Sequence, residues 1–195
     1  MRNRGLTLVE LLTALAILGL VIVAVTGFLN TGIKTSSRTN VEANLQKEAQ
    51  TSQNQMTDWI MSANHGIAVY PSCGYYDQAV GIYHDGELDS EKYVQLLYYR
   101  KDDKKVYYDK MSIDESFGGT EIEIQAAAAA ITTADEWKKY VFCEYVKEFD
   151  LDITNIEKRY VELKMVLKLQ DLEYNQDPKK IMLRNKPVTN PTDYK

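Results

Sequence analysis

The sequence predicts an α+β protein in which one long N-terminal α-helix packs on an antiparallel β-sheet domain. Residues 11–29 form an uncharged, mostly apolar run of nineteen residues, which as a helix is long enough to span a bilayer. An amphipathic segment follows, and no proline occurs before Pro71, so the helix is expected to continue beyond the run. The rest of the chain contains short segments rich in tyrosine, valine and isoleucine, which are typical of strands.

The predicted helix covers residues 6–63, a length of roughly 87 Å. Its first half spans the membrane and its second half is amphipathic. Apolar residues recur there at three- and four-residue steps and predict the stripe that packs on the sheet: Val41, Leu45, Ala49, Met56, Trp59, Ile60 and Ala63. The opposite face carries Gln46, Gln50, Asn54 and Asp58. Gly66 is the predicted end of the helix.

Strands are predicted from alternation and from β-branched and aromatic residues at 67–70, 93–100, 106–108, 121–124, 149–153, 160–169 and 181–184. A turn at 102–105 makes a hairpin of the second and third of these segments. Shorter helical pieces are predicted at 126–130, where five alanines are consecutive, at 133–137 and at 144–148.

A single acid, Glu10, lies at the head of the apolar run. An uncompensated charge costs about 2.5–3.5 kcal/mol near the centre of a bilayer and less near its edge, so Glu10 needs a partner. Gly5 has no side chain, which allows a protease to approach its carbonyl closely. Arg2 and Arg4 form the basic leader expected on the cytoplasmic side. Cleavage after Gly5 gives Leu6 a free ammonium that can neutralise a neighbour's Glu10.

These residues carry a family resemblance. Residues 5–12, GLTLVELL, resemble the class III signal of type IV prepilins and type II secretion pseudopilins. The resemblance implies that a prepilin peptidase cuts between Gly5 and Leu6 and methylates the new amino group of Leu6. It also implies that Glu10, together with Thr7 in the same motif, acts in assembly and register. Leu6 departs from the phenylalanine usual at the first mature position, but both residues are apolar.

The resemblance further implies a division into a leader of residues 1–5, a transmembrane and filament-core helix of residues 6–33, and an extracytoplasmic pilin-like domain of residues 34–195. Such a chain is a single-pass cytoplasmic-membrane protein that reaches the cell surface by assembly. Its implied partners are the prepilin peptidase and methyltransferase, other pilin or pseudopilin subunits, the membrane and, indirectly, an assembly platform protein and an ATPase. No cofactor is expected.

Two functional classes are open. The first is a structural subunit, a minor pilin or pseudopilin similar to those of the J or W type. The second is a binding module, either a pilus-tip adhesin or a DNA-uptake (competence) pilin. The formal net charge is −5, and loss of Arg2 and Arg4 with the leader leaves −7. This acidity argues against nucleic acid as a partner. An ordinary signal anchor is the simplest competing interpretation, but it does not require Glu10.

The two cysteines, Cys73 and Cys143, lie in the predicted exported part. They can form a disulfide that closes a loop of about 70 residues and stabilises the fold by roughly 4 kcal/mol in the chain-entropy model. The alternative is two buried free thiols. The sequence leaves both possibilities open.

No residue pattern indicates catalysis or a metal site. His65 and His84 are predicted in glycine-bearing loops, and no spacing suits zinc, a phosphate-binding loop or a nucleophile elbow. The protein is therefore predicted not to be an enzyme. Residues 85–91 are acidic, and a solvated loop is favoured there over a calcium site. Fourteen tyrosines concentrate in the middle of the chain, where strand composition is favoured over an exposed contact surface.

Overall fold

The structure, a computed structural model, describes residues 8–85, 92–113, 120–133, 140–175 and 177–185. Within these residues the elements, in chain order, are α1 (Leu8–Ser62), β1 (Gly66–Tyr70), β2 (Gln78–His84), β3 (Tyr93–Arg100), β4 (Lys105–Ser112), α2 (Glu121–Thr133), β5 (Val141–Glu144), β6 (Val146–Asp152), a 3-10 turn (Ile156–Lys158), β7 (Tyr160–Leu169), β8 (Leu172–Asn175) and β9 (Lys179–Met182). The predicted α+β class is confirmed, because an N-terminal apolar helix packs on antiparallel sheet.

The chain divides into two compact units, residues 1–43 and residues 44–195. The described part of the first unit is α1 residues 8–43. The second unit contains the rest of α1 and two antiparallel sheets. The first sheet has the order β1-β2-β3-β4-β5, so each strand pairs with its neighbours in the sequence. In the second sheet β7 is central, with β6 on one edge and both β8 and β9 on the other.

The second half of α1 lies in the main hydrophobic core of the second unit. Five residues of the predicted stripe are buried: Leu45, Ala49, Met56, Ile60 and Ala63. They share this core with inward side chains of both sheets, such as Leu97 of β3 and Leu163 of β7. Trp59 is half-buried, and its ring stacks on that of Tyr108 with 4.7 Å between centroids. The predicted polar face is exposed at all four of its positions. The amphipathic pattern therefore located the packed face correctly.

The first sheet is buried on both faces. Alternate residues of β1 and β3 point to opposite sides, so that Ile67 and Leu97 join the core with α1 while Ala68 and Leu96 join a second core. Ile124 of α2 covers that second core together with Ala128. The predicted hairpin of β3 and β4 is confirmed, with a turn at residues 101–104. A sheet covered on both faces loses its polar alternation, which explains the continuous apolar composition of β3.

Residues 121–124 were predicted as a strand, but they form the first turn of α2. A capping box explains the difference. The backbone N–H of Thr120 donates to Glu123 Oε2 at 2.8 Å, and the N–H of Glu123 donates to Thr120 Oγ1 at 3.4 Å. The alanine run that follows favours helix strongly, as predicted for residues 126–130. Of the helix start predicted at 133–137, Thr133 is the last residue of α2 and the others lie outside the described residues.

The helical turn predicted at residues 144–148 was also wrong. β5 ends at Glu144 and β6 begins at Val146. Between them Tyr145 has a φ of 64°, a left-handed conformation that breaks the strand at one residue. Its carbonyl accepts a hydrogen bond of 2.7 Å from the N–H of Lys168 in β7. The chain thus passes from the first sheet to the second at a single residue.

β2 was not predicted, because its residues do not alternate between polar and apolar side chains. It is buried on both faces from Ala79 to His84 and contains Gly81, which suggested a loop. A Cβ on Gly81 would lie 2.9 Å from the ring of Tyr83, so this strand position requires glycine. His84 consequently lies in a strand rather than in the predicted loop. Gly66 likewise starts β1 instead of ending α1, which stops at Ser62.

The remaining strand predictions differ little from the structure. Residues 67–70 lie in β1, residues 149–152 lie in β6, and the predicted strand 160–169 coincides with β7. The last strand, β9, begins two residues before the predicted start. β8 was not predicted. It forms a tight hairpin with β7, in which Leu169 pairs with Leu172 and Gln170 has a φ of 55°.

Both cysteines are free thiols, so the disulfide considered as one alternative is not formed in the structure. Cys143 is buried in the core that contains α1, while Cys73 packs at the edge of the second core. The two core clusters lie on opposite faces of the first sheet, which separates the sulfur atoms. Burial raises the pKa of Cys143 to about 12.

Thiol alkylation should distinguish these cysteines. Cys73 is half-buried, whereas Cys143 is fully buried and almost entirely protonated near neutral pH. We expect a maleimide to add once to the folded protein, at Cys73, and twice after denaturation, as counted by intact-protein mass spectrometry without reductant. Absence of any adduct in the denatured protein would reveal a disulfide and contradict the structure.

Asp109 should make stability depend on pH. Burial raises the pKa of this half-buried carboxyl of β4 above 3.8. A hydrogen bond of 2.8 Å from the backbone N–H of Lys110 acts in the opposite direction, but burial is the larger effect. The folded state therefore holds the proton more tightly than the unfolded state, and stability falls as pH rises through the folded-state pKa. We expect Asp109→Asn to raise the melting temperature near neutral pH, with the gain shrinking as pH approaches 3.8.

Thermal unfolding followed by circular dichroism across a pH series measures this effect. Asp102→Asn, at an exposed position in the β3–β4 turn, is the matched control and should leave the melting temperature unchanged. Equal melting temperatures for wild type and Asp109→Asn near neutral pH would show that burial does not penalise the charge.

Candidate functional site

Glu10 lies in the first described turn of α1, where an acid is favoured by the helix dipole. It is the only charged residue in the sequence between Leu8 and Ile33. The side chain is exposed, and the backbone carbonyl accepts a hydrogen bond of 3.0 Å from Thr13 Oγ1. A single carboxylate thus lies at one end of an otherwise uncharged surface.

The apolar surface of α1 extends around the whole helix. Its large side chains are between 50% and 79% exposed: Leu8, Val9, Leu11, Leu12, Leu15, Ile17, Leu18, Leu20, Val21, Ile22, Val23, Val25, Phe28, Leu29 and Ile33. A helix that is apolar on all sides requires an apolar environment. Among the described residues, α1 is the helix long and apolar enough to cross a membrane by length and composition.

The threonine side chains within this segment are satisfied by the helix itself. Thr26 Oγ1 donates to the carbonyl of Ile22 at 2.9 Å, and Thr31 Oγ1 donates to that of Gly27 at 3.0 Å. Thr13 donates to Glu10 in the same way. Because these hydroxyls already have acceptors, they need no partner from outside when the helix lies in lipid or against other helices. Glu10 is therefore the group that dominates the polarity of this surface.

The other residues of the predicted processing site lie outside the described residues. These are Arg2, Arg4, Gly5, Leu6 and Thr7. Their roles in the leader, in cleavage, in methylation and in register remain predictions from the sequence. The structure places Glu10 alone among the predicted N-terminal site residues.

Residues 1–26 match the family model for the prokaryotic N-terminal methylation motif. The match supports a type IV pilin-like protein. It covers residues 1–5, Glu10 and most of the apolar half of α1, and it leaves the sheets unmatched. No curated protein and no solved structure matches the chain.

With the motif and α1 together, the chain has the features of a membrane-anchored pilin with a C-terminal domain. A pilin-type motif is typical of a structural, non-enzymatic subunit. Within the described ranges, no group of three histidine, cysteine or acidic side chains has the geometry of a metal site. Residues 86–91 of the acidic segment lie outside those ranges.

The two histidines have structural contacts. His65 Nδ1 lies 3.0 Å from Asp85 Oδ2, and Asn64 also contacts the backbone of Asp85, which ties the end of α1 to the end of β2. His84 is buried, with its Nε2 lying 3.0 Å from Gln95 Oε1. Burial lowers the pKa of His84, which favours the neutral ring. These contacts account for both side chains without a catalytic role.

Most of the described tyrosines are buried or half-buried, in agreement with the favoured interpretation of strand composition. Tyr70, Tyr76, Tyr83, Tyr98, Tyr99 and Tyr107 are buried. Burial raises the pKa of Tyr70 and Tyr83, whose hydroxyls hydrogen-bond each other in the second core. Among the described residues, Tyr75 and Tyr145 are exposed, at 44% and 39%. The concentration of tyrosine in the middle of the chain therefore reflects a sheet buried on both faces.

Proposed function

We propose that this chain is a minor pilin or pseudopilin, a structural subunit that assembles into or primes a type IV pilus or a type II secretion-like pseudopilus. The observation that carries the proposal is the methylation motif at residues 1–26, which overlaps the part of α1 that is apolar on every side. In this proposal residues 1–5 are the leader, residues 6–33 are the membrane and filament-core helix, and residues 34–195 are the extracytoplasmic domain.

Assembly begins with a proteolytic step. Hydrolysis of the Gly5–Leu6 peptide bond releases the leader as a carboxylate and leaves Leu6 with an amine, which is protonated near neutral pH. Methylation of this nitrogen keeps its positive charge. The leader's Arg2 and Arg4 remain on the cytoplasmic side, in agreement with the positive-inside bias. Processing thus creates a cation close to Glu10 at the head of the apolar helix.

The cation and Glu10 can neutralise each other between adjacent subunits. Each charge alone is costly in hydrocarbon, and a close pair offsets most of that cost. Pairing the ammonium of Leu6 in one subunit with Glu10 of its neighbour fixes the axial shift between the two helices. Repetition of one such head-to-tail contact generates an open helical fibre. The apolar surface of α1 then packs against other helices in the fibre core.

The proposed location and partners follow from this mechanism. Before assembly the subunit is a single-pass protein of the cytoplasmic membrane with its sheets outside the cytoplasm. The prepilin peptidase and methyltransferase processes it, other pilin or pseudopilin subunits surround it, and an assembly platform protein and ATPase act indirectly. The large domain, whose two cysteines are free thiols, supports a minor rather than a major subunit.

Mass spectrometry of purified fibres tests the proposal. We expect the N-terminal peptide to begin with methylated Leu6, and the chain to be far less abundant than the principal subunit of the same fibres. An intact N-terminus beginning at Met1 would contradict processing. Abundance equal to that of the principal subunit would contradict the minor role while leaving the fibre assignment intact.

The Glu10→Gln variant should be inserted into the membrane normally but incorporated poorly into fibres. The variant keeps the size of the side chain and removes the charge, so membrane insertion should be unchanged. Incorporation into fibres should fall about tenfold, because the amine of Leu6 loses its partner in an apolar environment. Quantitative immunoblotting of fibre and membrane fractions measures both quantities.

Thr13→Val is the matched control for Glu10→Gln. It removes a polar group one turn away whose hydrogen bond lies within the helix, so it should leave incorporation at the wild-type level. If Glu10→Gln is incorporated as well as Thr13→Val, charge pairing does not set the register.

A further inference from the structure

Lys34 and Arg38 are the first cations after the apolar segment of α1. Residues 11–33 contain no charged side chain, and the next acid, Glu42, follows Arg38 by four residues. All three charged side chains are exposed, and neither cation forms an ion pair with another described residue. The end of the apolar segment thus presents two positive charges that have no counterion within the described part of the chain.

The two cations lie on one side of the helix. Lys34 and Arg38 are four residues apart in α1, which places them about one turn apart on the same face, with a rise of roughly 6 Å between them. Their side chains are long and flexible, so both charged groups can reach the same polar layer. A single anionic group, or two adjacent ones, can therefore contact both cations.

The length of the apolar segment places these cations at the surface of a bilayer. Residues 11–33 lie within α1 and extend roughly 34 Å as a helix, compared with about 30 Å for the hydrocarbon layer. The headgroups add about 5–7 Å on each side of that layer. When Glu10 lies at the inner boundary, Lys34 therefore lies at the outer boundary and Arg38 lies among the headgroups.

The hydroxyl groups of α1 change their bonding at the same point. Within the apolar segment, Thr13, Thr26 and Thr31 donate to backbone carbonyls of the preceding turn. A hydroxyl without a partner is costly in hydrocarbon, so unbonded hydroxyls require a polar environment. Beyond Ile33, the next hydroxyl side chains are exposed and have no acceptor among the described residues: Thr35, Ser36, Ser37 and Thr39.

The position of the two cations opposes the charge bias that orients the helix. Arg2 and Arg4 supply the cytoplasmic excess of positive charge before cleavage. Lys34 and Arg38 lie on the other side of the apolar segment, so they weaken the proposed orientation and are not explained by it. Lipid phosphates supply negative charge at the depth where these cations lie, and basic side chains near a membrane surface are attracted to it.

We propose that Lys34, Arg38 and the hydroxyl residues between them form a docking surface for phosphate groups of lipids in the outer leaflet of the cytoplasmic membrane. The proposal rests on the membrane-spanning subunit described above and names the part of the membrane that this subunit recognises. Anionic lipids such as phosphatidylglycerol are favoured, because their headgroups carry no compensating cation. Docking holds α1 at a depth that keeps Glu10 near the inner boundary before assembly.

Photo-cross-linking from lipid to protein tests the proposal with the full-length chain. The protein is purified from membranes of cells that process it and is reconstituted into phosphatidylcholine vesicles that contain phosphatidylglycerol with a photoreactive headgroup. We expect adducts on residues 34–39, located by peptide mass spectrometry. The same reactive group on phosphatidylcholine should give fewer adducts there, because the choline neutralises the phosphate.

Lys34→Gln and Arg38→Gln test the two cations. Each substitution removes one attraction to the anionic headgroups and should reduce the adducts about fivefold, and the double variant should reduce them further. Both positions are exposed, so neither substitution disturbs a core. Lys47→Gln is the matched control, because Lys47 is an exposed lysine later in α1 that lies outside residues 34–39. It should leave the adducts unchanged.

Three outcomes would overturn the proposal. They are adducts that both Lys34→Gln and Arg38→Gln leave unchanged, equal yields from the two lipids, and complete competition by excess inorganic phosphate, which would indicate a site for a soluble anion. The N-terminal peptide is analysed in the same samples. Methylated Leu6 without these adducts would refute the docking surface alone. An intact Met1 with these adducts would refute the fibre function and leave the docking surface in place.

Discussion

The packing of one helical stripe against two sheets is the interaction on which the second unit depends. Leu45, Met56 and Ile60 of α1 share a single core with inward side chains of β3 and β7. Neither sheet could bury its inner face as completely without this helix, because antiparallel sheets need a covering layer to form a core. The same helix carries the methylation motif at its other end. A covalently continuous α1 thus links the sheets to the segment that anchors them.

The two parts of α1 have side-chain patterns that suit different environments. Residues 8–33 are apolar on every side and keep one acid, Glu10, while residues 44–62 have one buried and one exposed face. A water-soluble helix cannot present the first pattern without aggregation, and a helix in lipid cannot present the second. The threonine hydroxyls of the first part bond within the helix, and Glu10 is the single charged residue of that part.

The core of the second unit explains features that might otherwise suggest function. The tyrosines are buried because the first sheet is covered by α1 on one face and by α2 on the other. The histidines bond to neighbouring side chains, and Cys143 is a protonated core residue. These side chains therefore need no functional explanation, and the candidate functional group is Glu10 in the apolar part of α1.

The sequence by itself determined the long helix, its buried stripe, β7 and the N-terminal motif, because each depends on a strong local pattern over many residues. Tertiary structure decided the rest. Four alternating residues at 121–124 resembled a strand, but the capping box of Thr120 and Glu123 and the alanine run made a helix. β2 was concealed because burial on both faces removes alternation and because Gly81 makes room for Tyr83. The core that joins Leu45 of α1 to Leu163 of β7 brings together residues more than a hundred positions apart, and such a contact leaves no local trace in a sequence.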